Sequence, residues 1–204
     1  MSYAINDGAL DVYVNGRRLI GNGGNWGFPE INLAYRAREY DIAIAYHADM
    51  NFTMIRNWVG MIGDDEFYEA CDKYGIMVWQ DFWLANPWDG PNPFYEGMFM
   101  QNAYDMGRRI RNHPSIAFYC GRNEGNPPAS LDAALRKLVG EQHPGMYYFP
   151  HSANDVVSGN GPYRALEVSE YFKAERGRNR LHSERGMPNV MTAENFRRTM
   201  REDA

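Results

Sequence analysis

Ile116-Ala117-Phe118-Tyr119-Cys120-Gly121-Arg122-Asn123-Glu124 decides how the chain is read. The run opens apolar and rich in β-formers, the pattern of a strand buried on both faces. It breaks at Gly121-Arg122-Asn123-Glu124, and the turn residues Gly125-Asn126-Pro127-Pro128 follow. A carboxylate is therefore delivered at the outlet of a strand, with an amide side chain one residue before it. In a β/α barrel the outlet end carries the chemistry.

Working outward, strand and helix patterns alternate. Upstream, residues 95–112 are predicted helical, with Met98, Ala103, Met106 and Ile110 at helical spacing and Arg108, Arg109 and Arg111 near the end, where cations suit the dipole. Residues 76–83 read as a strand ending in polar and aromatic side chains, and a Pro-rich loop follows from Asn86 to Pro93. Asp64-Asp65 start a helix that runs through Phe67 and Cys71 and stops at Gly75. Residues 52–58 are another strand, preceded by a helix over 33–49. Leu19-Ile20 lead into Gly21–Gly27, where glycines point to close backbone approach at a strand end. That stretch lacks the Lys-Ser/Thr of a phosphate loop. Near the start, Asp11-Val12-Tyr13-Val14 alternates and Asn15-Gly16 is a hairpin signal. Downstream, Ser130 is expected to cap a helix through Leu131, Leu135 and Leu138 to Gly140. Residues 146–149 form a strand that ends at His151-Ser152, a degenerate strand is expected near Leu166–Val168, and residues 180–186 hold a further strand outlet. A last helix, capped by Thr192, closes the pattern.

This alternation indicates a parallel α/β sheet, and the polar outlets favour a (β/α)8 TIM barrel. About seven units are legible where a closed barrel takes eight strands and about 250 residues, so the expectation is an incomplete barrel whose last strand is missing. Residues 1–18 are expected to be a lead-in ribbon from a preceding β-domain and residues 19–204 the partial barrel. The alternative is a doubly wound open sheet, which would need a Gly-rich first turn with a ribose-binding acid.

Composition excludes several classes. A formal net charge of −5 gives no basic footprint for nucleic acid. No apolar run is long enough to span a membrane, and the residues after Met1 do not form a signal peptide. Cys71 and Cys120 are far apart in apolar segments and read as buried free thiols. No His-x-x-x-His or Cys-x-x-Cys suggests a metal, and Ser183 lacks the Gly-x-Ser-x-Gly elbow of a serine hydrolase.

Glu124 and Glu184 each end a predicted strand, 60 positions apart. Two carboxyls over one anomeric centre are what glycoside cleavage requires: one protonates the leaving oxygen and the other attacks the carbon or activates water. The acid needs an apolar setting or a neighbouring carboxylate, and the nucleophile needs nearby cations such as Arg56 or Arg185. Asn123 is placed to hydrogen-bond a sugar hydroxyl. Each assignment has a structural counterpart: Arg56 could pair with a structural carboxylate, Asp81 could cap a helix or bind a hydroxyl, His151 and His182 could be core or rim, and Trp26, Trp58, Trp83 and Trp88 could be core or sugar platform.

Taken together, the ordered pieces resemble the catalytic barrel of glycoside hydrolase family 2, which includes β-galactosidases, β-glucuronidases, β-mannosidases and exo-β-glucosaminidases. They are Asn15-Gly16 with Gly23-Gly24-Asn25-Trp26, Ile55-Arg56-Asn57-Trp58, Asp65-Glu66-Phe67-Tyr68 with Cys71-Asp72 and Gly75, Val78-Trp79-Gln80-Asp81-Phe82, Arg111-Asn112-His113-Pro114-Ser115-Ile116, Asn123-Glu124, and Ser183-Glu184 with Gly186. The resemblance implies Glu124 as acid/base and Glu184 as nucleophile; Asn123, Arg56, Trp26, Asp81, Trp83 and His151 are the expected substrate-binding residues. It also implies a retaining exo-glycosidase acting on a terminal β-mannoside, β-glucosaminide or β-galactoside, with no cofactor and no metal. The Trp79–Trp83 run looks closest to the β-mannosidase and exo-β-glucosaminidase branch. Family members carry β-sandwich domains before the barrel, so the chain alone is expected to be feebly active or inactive, and its unpaired sheet edges could support a dimer. The rivals are a non-catalytic carbohydrate-binding barrel and an endo-acting retaining glycanase.

Overall fold

A computed structural model describes residues 1–26, 35–172, 180–186 and 192–200. The chain opens with β1 (Ser2–Asn6), β2 (Ala9–Val14) and β3 (Arg17–Arg18), a small antiparallel sheet in that order. Asn15 and Gly16 both take positive φ, 52° and 75°, the backbone that a two-residue hairpin turn requires. The rest follows the β/α alternation: β4 (Gly23–Trp26), α1 (Ala37–Asp49), β5 (Met54–Asn57), α2 (Asp65–Tyr74), β6 (Met77–Asp81), α3 (Glu96–Ile110), β7 (Ile116–Arg122), α4 (Ala129–Gln142), β8 (Tyr148–His151) and α5 (Ala193–Thr199). Strands β4 to β8 form one five-stranded sheet in chain order, every pair parallel.

Strand alternation sorts side chains into two cores. On the helix side, Ile55 and Val78 pack with Tyr40 and Ile44 of α1 and with Phe67, Tyr68 and Cys71 of α2. On the other face, Met54, Met77, Trp79, Phe118, Cys120 and Phe149 form a second cluster that includes Leu10 and Val12 of β2. The lead-in ribbon thus lies across the inlet ends of the strands, and Tyr3 Oη donates to the Ala117 carbonyl at 2.6 Å. A register shift between Val78 and Trp79 pairs Val78 with Ile116 and Trp79 with Phe118, so Ala117 is the extra residue. That bulge keeps Trp79, Asp81, Phe118 and Cys120 on one face. Both thiols, Cys71 and Cys120, are free and buried, and burial pushes each above its ordinary pKa.

Three expectations need correction. The degenerate strand near Leu166–Val168 does not form: Val168 is exposed, with no layer to pack on, and it begins a 3-10 turn, Val168–Phe172. Among the described residues, the pairing beyond β8 is a single parallel bridge, Ser158 to His182, to which the strand predicted over 180–186 reduces. Ser130 is not a cap; α4 starts after Pro128, and the Ser130 hydroxyl donates to the Glu96 carboxylate. The start of the helix predicted over 33–49 lies outside the described residues; its remainder is α1. Thr192 does cap α5, accepting from Asn195 N at 3.3 Å. Among the described residues no helix is long and apolar enough to cross a membrane.

Two neighbouring glycines test the sheet packing. A Cβ on Gly23 would sit 1.7 Å from the Met54 carbonyl oxygen, whereas one on Gly24 meets nothing within 4 Å. Gly23→Ala is expected to lower stability by at least about 1–3 kcal/mol, the usual cost of overpacking, and Gly24→Ala by much less; urea unfolding of the two variants checks the difference.

Candidate active site

The outlet ends of the strands converge on one buried cation. Arg56 lies one residue before the end of β5, on the same face as Asp81 at the end of β6. Its Nε and Nη2 reach Asp81 at 3.0 and 2.6 Å, its Nη2 also donates to Asn123 Oδ1 at 2.8 Å, and its Nη1 reaches Glu184 Oε1 at 2.8 Å. Burial alone would lower the Arg56 pKa; the Asp81 carboxylate beside it reverses the sign and holds it above the ordinary value. Asp81 is fully buried and accepts one more bond, from Val59 N at 3.0 Å. Val59 holds φ at 48°, an unusual backbone for a β-branched residue, and so presents its N–H to Asp81.

Glu124 follows β7 and also sits at positive φ, 48°. Its amide donates to Ser152 Oγ at 2.8 Å, which ties the strained turn to the residue after β8. Strain of this kind costs on the order of 1–3 kcal/mol and is concentrated at functional sites. Tyr163 joins the two acids: its hydroxyl lies 2.6 Å from Glu124 Oε1 and 2.8 Å from Glu184 Oε2. Partial burial and then the two carboxylates push the Tyr163 phenol above its ordinary pKa. A phenol brings one proton to two acceptors, so the trio needs one further proton to be fully bonded.

His182 fixes the segment that carries Tyr163. Its Nε2 donates to the Gly161 carbonyl at 2.9 Å, so its Nδ1 accepts from the Ser158 hydroxyl at 2.9 Å. Burial lowers its pKa, in keeping with that neutral ring. Beside Glu184 lies a cavity of about 650 Å³, lined among others by Gly24, Asn25, Arg56, Trp79, Tyr163 and Glu184.

Of the residues singled out in the sequence, Glu124, Glu184, Arg56, Asn123 and Asp81 come together. Asp81 is the partner of Arg56 and is too deeply buried to meet a sugar hydroxyl. Trp26 is elsewhere. It pairs in register with Asn57, so parity sends its ring to the helix side, against Tyr40 and Phe67, while Asn25 faces the cavity. Trp83 turns away after β6, donating to the Gly60 carbonyl and meeting Phe99 edge-on. His151 accepts from the Ala153 amide through Nδ1, an interaction that secures the end of β8. The sequence reading missed Tyr163 and Ser152. Tyr163 sits in an irregular Gly-Pro turn with no periodicity to mark it, and Ser152 is one serine after a strand.

The chain has relatives in sequence and in fold. The chain is 36% identical over 172 residues to a mannosylglycoprotein endo-beta-mannosidase of Lilium longiflorum, covering 80% of the chain and 18% of that protein. It is 31% identical over 122 residues to a beta-mannosidase of Mus musculus, covering 58% of the chain and 14% of the relative. The fold matches the crystal structure of an Amycolatopsis orientalis exo-chitosanase with a TM-score of 0.82 at 16% identity, over 99% of this chain and 26% of that one. It also matches a beta-D-mannosidase from Dictyoglomus thermophilum with a TM-score of 0.74 at 24% identity, over 99% of this chain and 29% of that one. No protein-family model matches the chain. The chain spans less than a fifth of the length of these two curated relatives. The fold and the sequence relatives define a glycoside hydrolase domain. Within that class, the chain belongs to glycoside hydrolase family 2.

Asp81→Ala removes one of the two carboxylates on a buried guanidinium and leaves Glu184 in place, so it is expected to cost less than the about 3–5 kcal/mol of a fully unpaired buried charge, read as a lowered urea midpoint.

Proposed function

We propose that this chain carries the catalytic centre of a retaining β-glycosidase, with Glu124 as acid/base and Glu184 as nucleophile. The observation that carries the reading is the single phenol spanning both acids. With bonds of 2.6 and 2.8 Å to the same Tyr163 oxygen, the two bonded carboxylate oxygens cannot stand farther apart than those lengths end to end. That limit falls within the about 5–5.5 Å of retaining enzymes and short of the roughly 6.5–9.5 Å that inversion needs to admit a water.

In this reading Glu184, paired with Arg56, attacks the anomeric carbon as the glycosidic C–O bond breaks, and the proton on Glu124 passes to the leaving oxygen. Water then attacks the same carbon, Glu124 takes its proton, and the ester to Glu184 is released. The further proton required by the Tyr163 trio is the one on Glu124, with the phenol donating onward to Glu184. The names of the Lilium and Mus relatives favour a β-mannoside as substrate. The parallel sheet and the bridge at His182 support a partial β/α barrel over residues 19–204, with residues 1–18 as the ribbon entering it. The longer relatives support a parent with further domains, and the edge of β4 beside the cavity is a reason for the 204 residues alone to turn over feebly.

Glu184→Gln in the parent protein is expected to abolish hydrolysis of every β-mannoside. Glu124→Gln is expected to cost roughly 10²–10⁴-fold with a poor leaving group and much less with an activated aryl one. Steady-state kinetics on both substrates checks this, and wild-type turnover in Glu184→Gln would refute the assignment.

A further inference from the structure

The loop between β6 and α3 is built at a cost that the chemistry so far does not explain. Arg122, buried at the end of β7, spends its guanidinium on three neutral oxygens: Nε on the Ala85 carbonyl at 2.7 Å, Nη1 on Asn92 Oδ1 at 2.7 Å, and Nη2 on the Gly90 carbonyl at 2.9 Å. Burial depresses its pKa. Asn123 Nδ2 donates to Asn86 Oδ1, and the Asn86 carbonyl accepts from Gly90 N at 2.7 Å, closing a turn. Pro87 lies so close to Gly125 that a Cβ there would come within 2.1 Å of its ring. The loop is thus an arch clamped to the residues on both sides of Glu124.

What the arch holds up is an indole in water. Trp88, inside the closed turn, is 67% exposed, and Phe94 and Tyr95 beyond it are 93% and 75% exposed. Core packing does not account for these rings, and large apolar side chains left in water beside a cleft are candidates for ligand contact.

We infer that Trp88 is the platform for the leaving-group side of an extended β-linked oligosaccharide. The inference rests on the proposed glycosidase reading and deepens it. The cavity holding Arg56, Trp79 and Glu184 receives the sugar that is attacked. The acid protonates the bond to the next sugar, so that sugar lies beyond Glu124, on the side where Gly125 meets Pro87. A flat indole covers the C–H face of a pyranose, and the Arg122 clamp holds the backbone that carries it before substrate arrives, so less loop ordering is left for binding.

The test compares kcat/KM of the parent protein for β-1,4-mannotriose, which has leaving-group sugars, and for β-mannosyl fluoride, whose leaving group has no ring. Trp88→Ala is expected to lower the trisaccharide-to-fluoride ratio roughly tenfold, the size of one good aromatic contact, while Trp88→Phe keeps most of it. An unchanged ratio, or equal losses on both substrates, overturns the platform while leaving the hydrolase intact. Failure of the unsubstituted protein to hydrolyse either substrate overturns the β-mannosidase reading on which the platform rests.

Discussion

Everything at the outlet of this sheet is referred to one guanidinium. Arg56 is nearly inaccessible, and a buried charge is tolerated only where its donors are met with good geometry. Here its partners come from different parts of the chain: Asp81 from β6, Asn123 from the end of β7 and Glu184 from beyond the last bridge. None of them is near another in sequence, so the cation acts as a register mark for the strands. If β5 slipped by one residue, Arg56 would turn to the helix side, among Phe67 and Tyr68, and its partners would be stranded. The same contact that sets strand register therefore sets the positions of Asp81, Asn123 and Glu184.

Backbone strain is placed around this mark. Val59 and Glu124 both hold left-handed backbone that side chains ordinarily avoid, and both give their amide to a functional neighbour, Asp81 in one case and Ser152 in the other. At these two positions the unfavourable conformation falls in the turn after a strand and not in a strand or α-helix interior. This division allows the outlet loops to be shaped for chemistry without weakening the two hydrophobic layers beneath them.

The regular parts of the fold were legible in the sequence because their signals are periodic. The apolar runs of β5, β6 and β7 and the caps at Gly75 and Thr192 all appear where the pattern puts them. The two acids were legible as carboxylates at strand outlets, and their approach to one another was not, because it is made by a turn. Trp26 shows the limit most plainly. A tryptophan at a strand end reads as a sugar platform, yet whether Trp26 or Asn25 faces the cavity depends on a parity that only the pairing with Arg56 and Asn57 decides. Tyr163 was illegible for the opposite reason: the 158–163 segment has no repeat, and its position is fixed by hydrogen bonds from His182.

The two sulfhydryl groups described with the fold have a practical meaning. Only the deprotonated sulfur reacts with alkylating reagents, and for both cysteines sequestration from solvent disfavours that form. Cys71 sits on the buried face of α2 and Cys120 in the β7 ladder, so neither can be reached while helix and sheet stay together. The native molecule thus carries two chemically silent tags, one for each layer, and the order in which they become modifiable records which layer opens first.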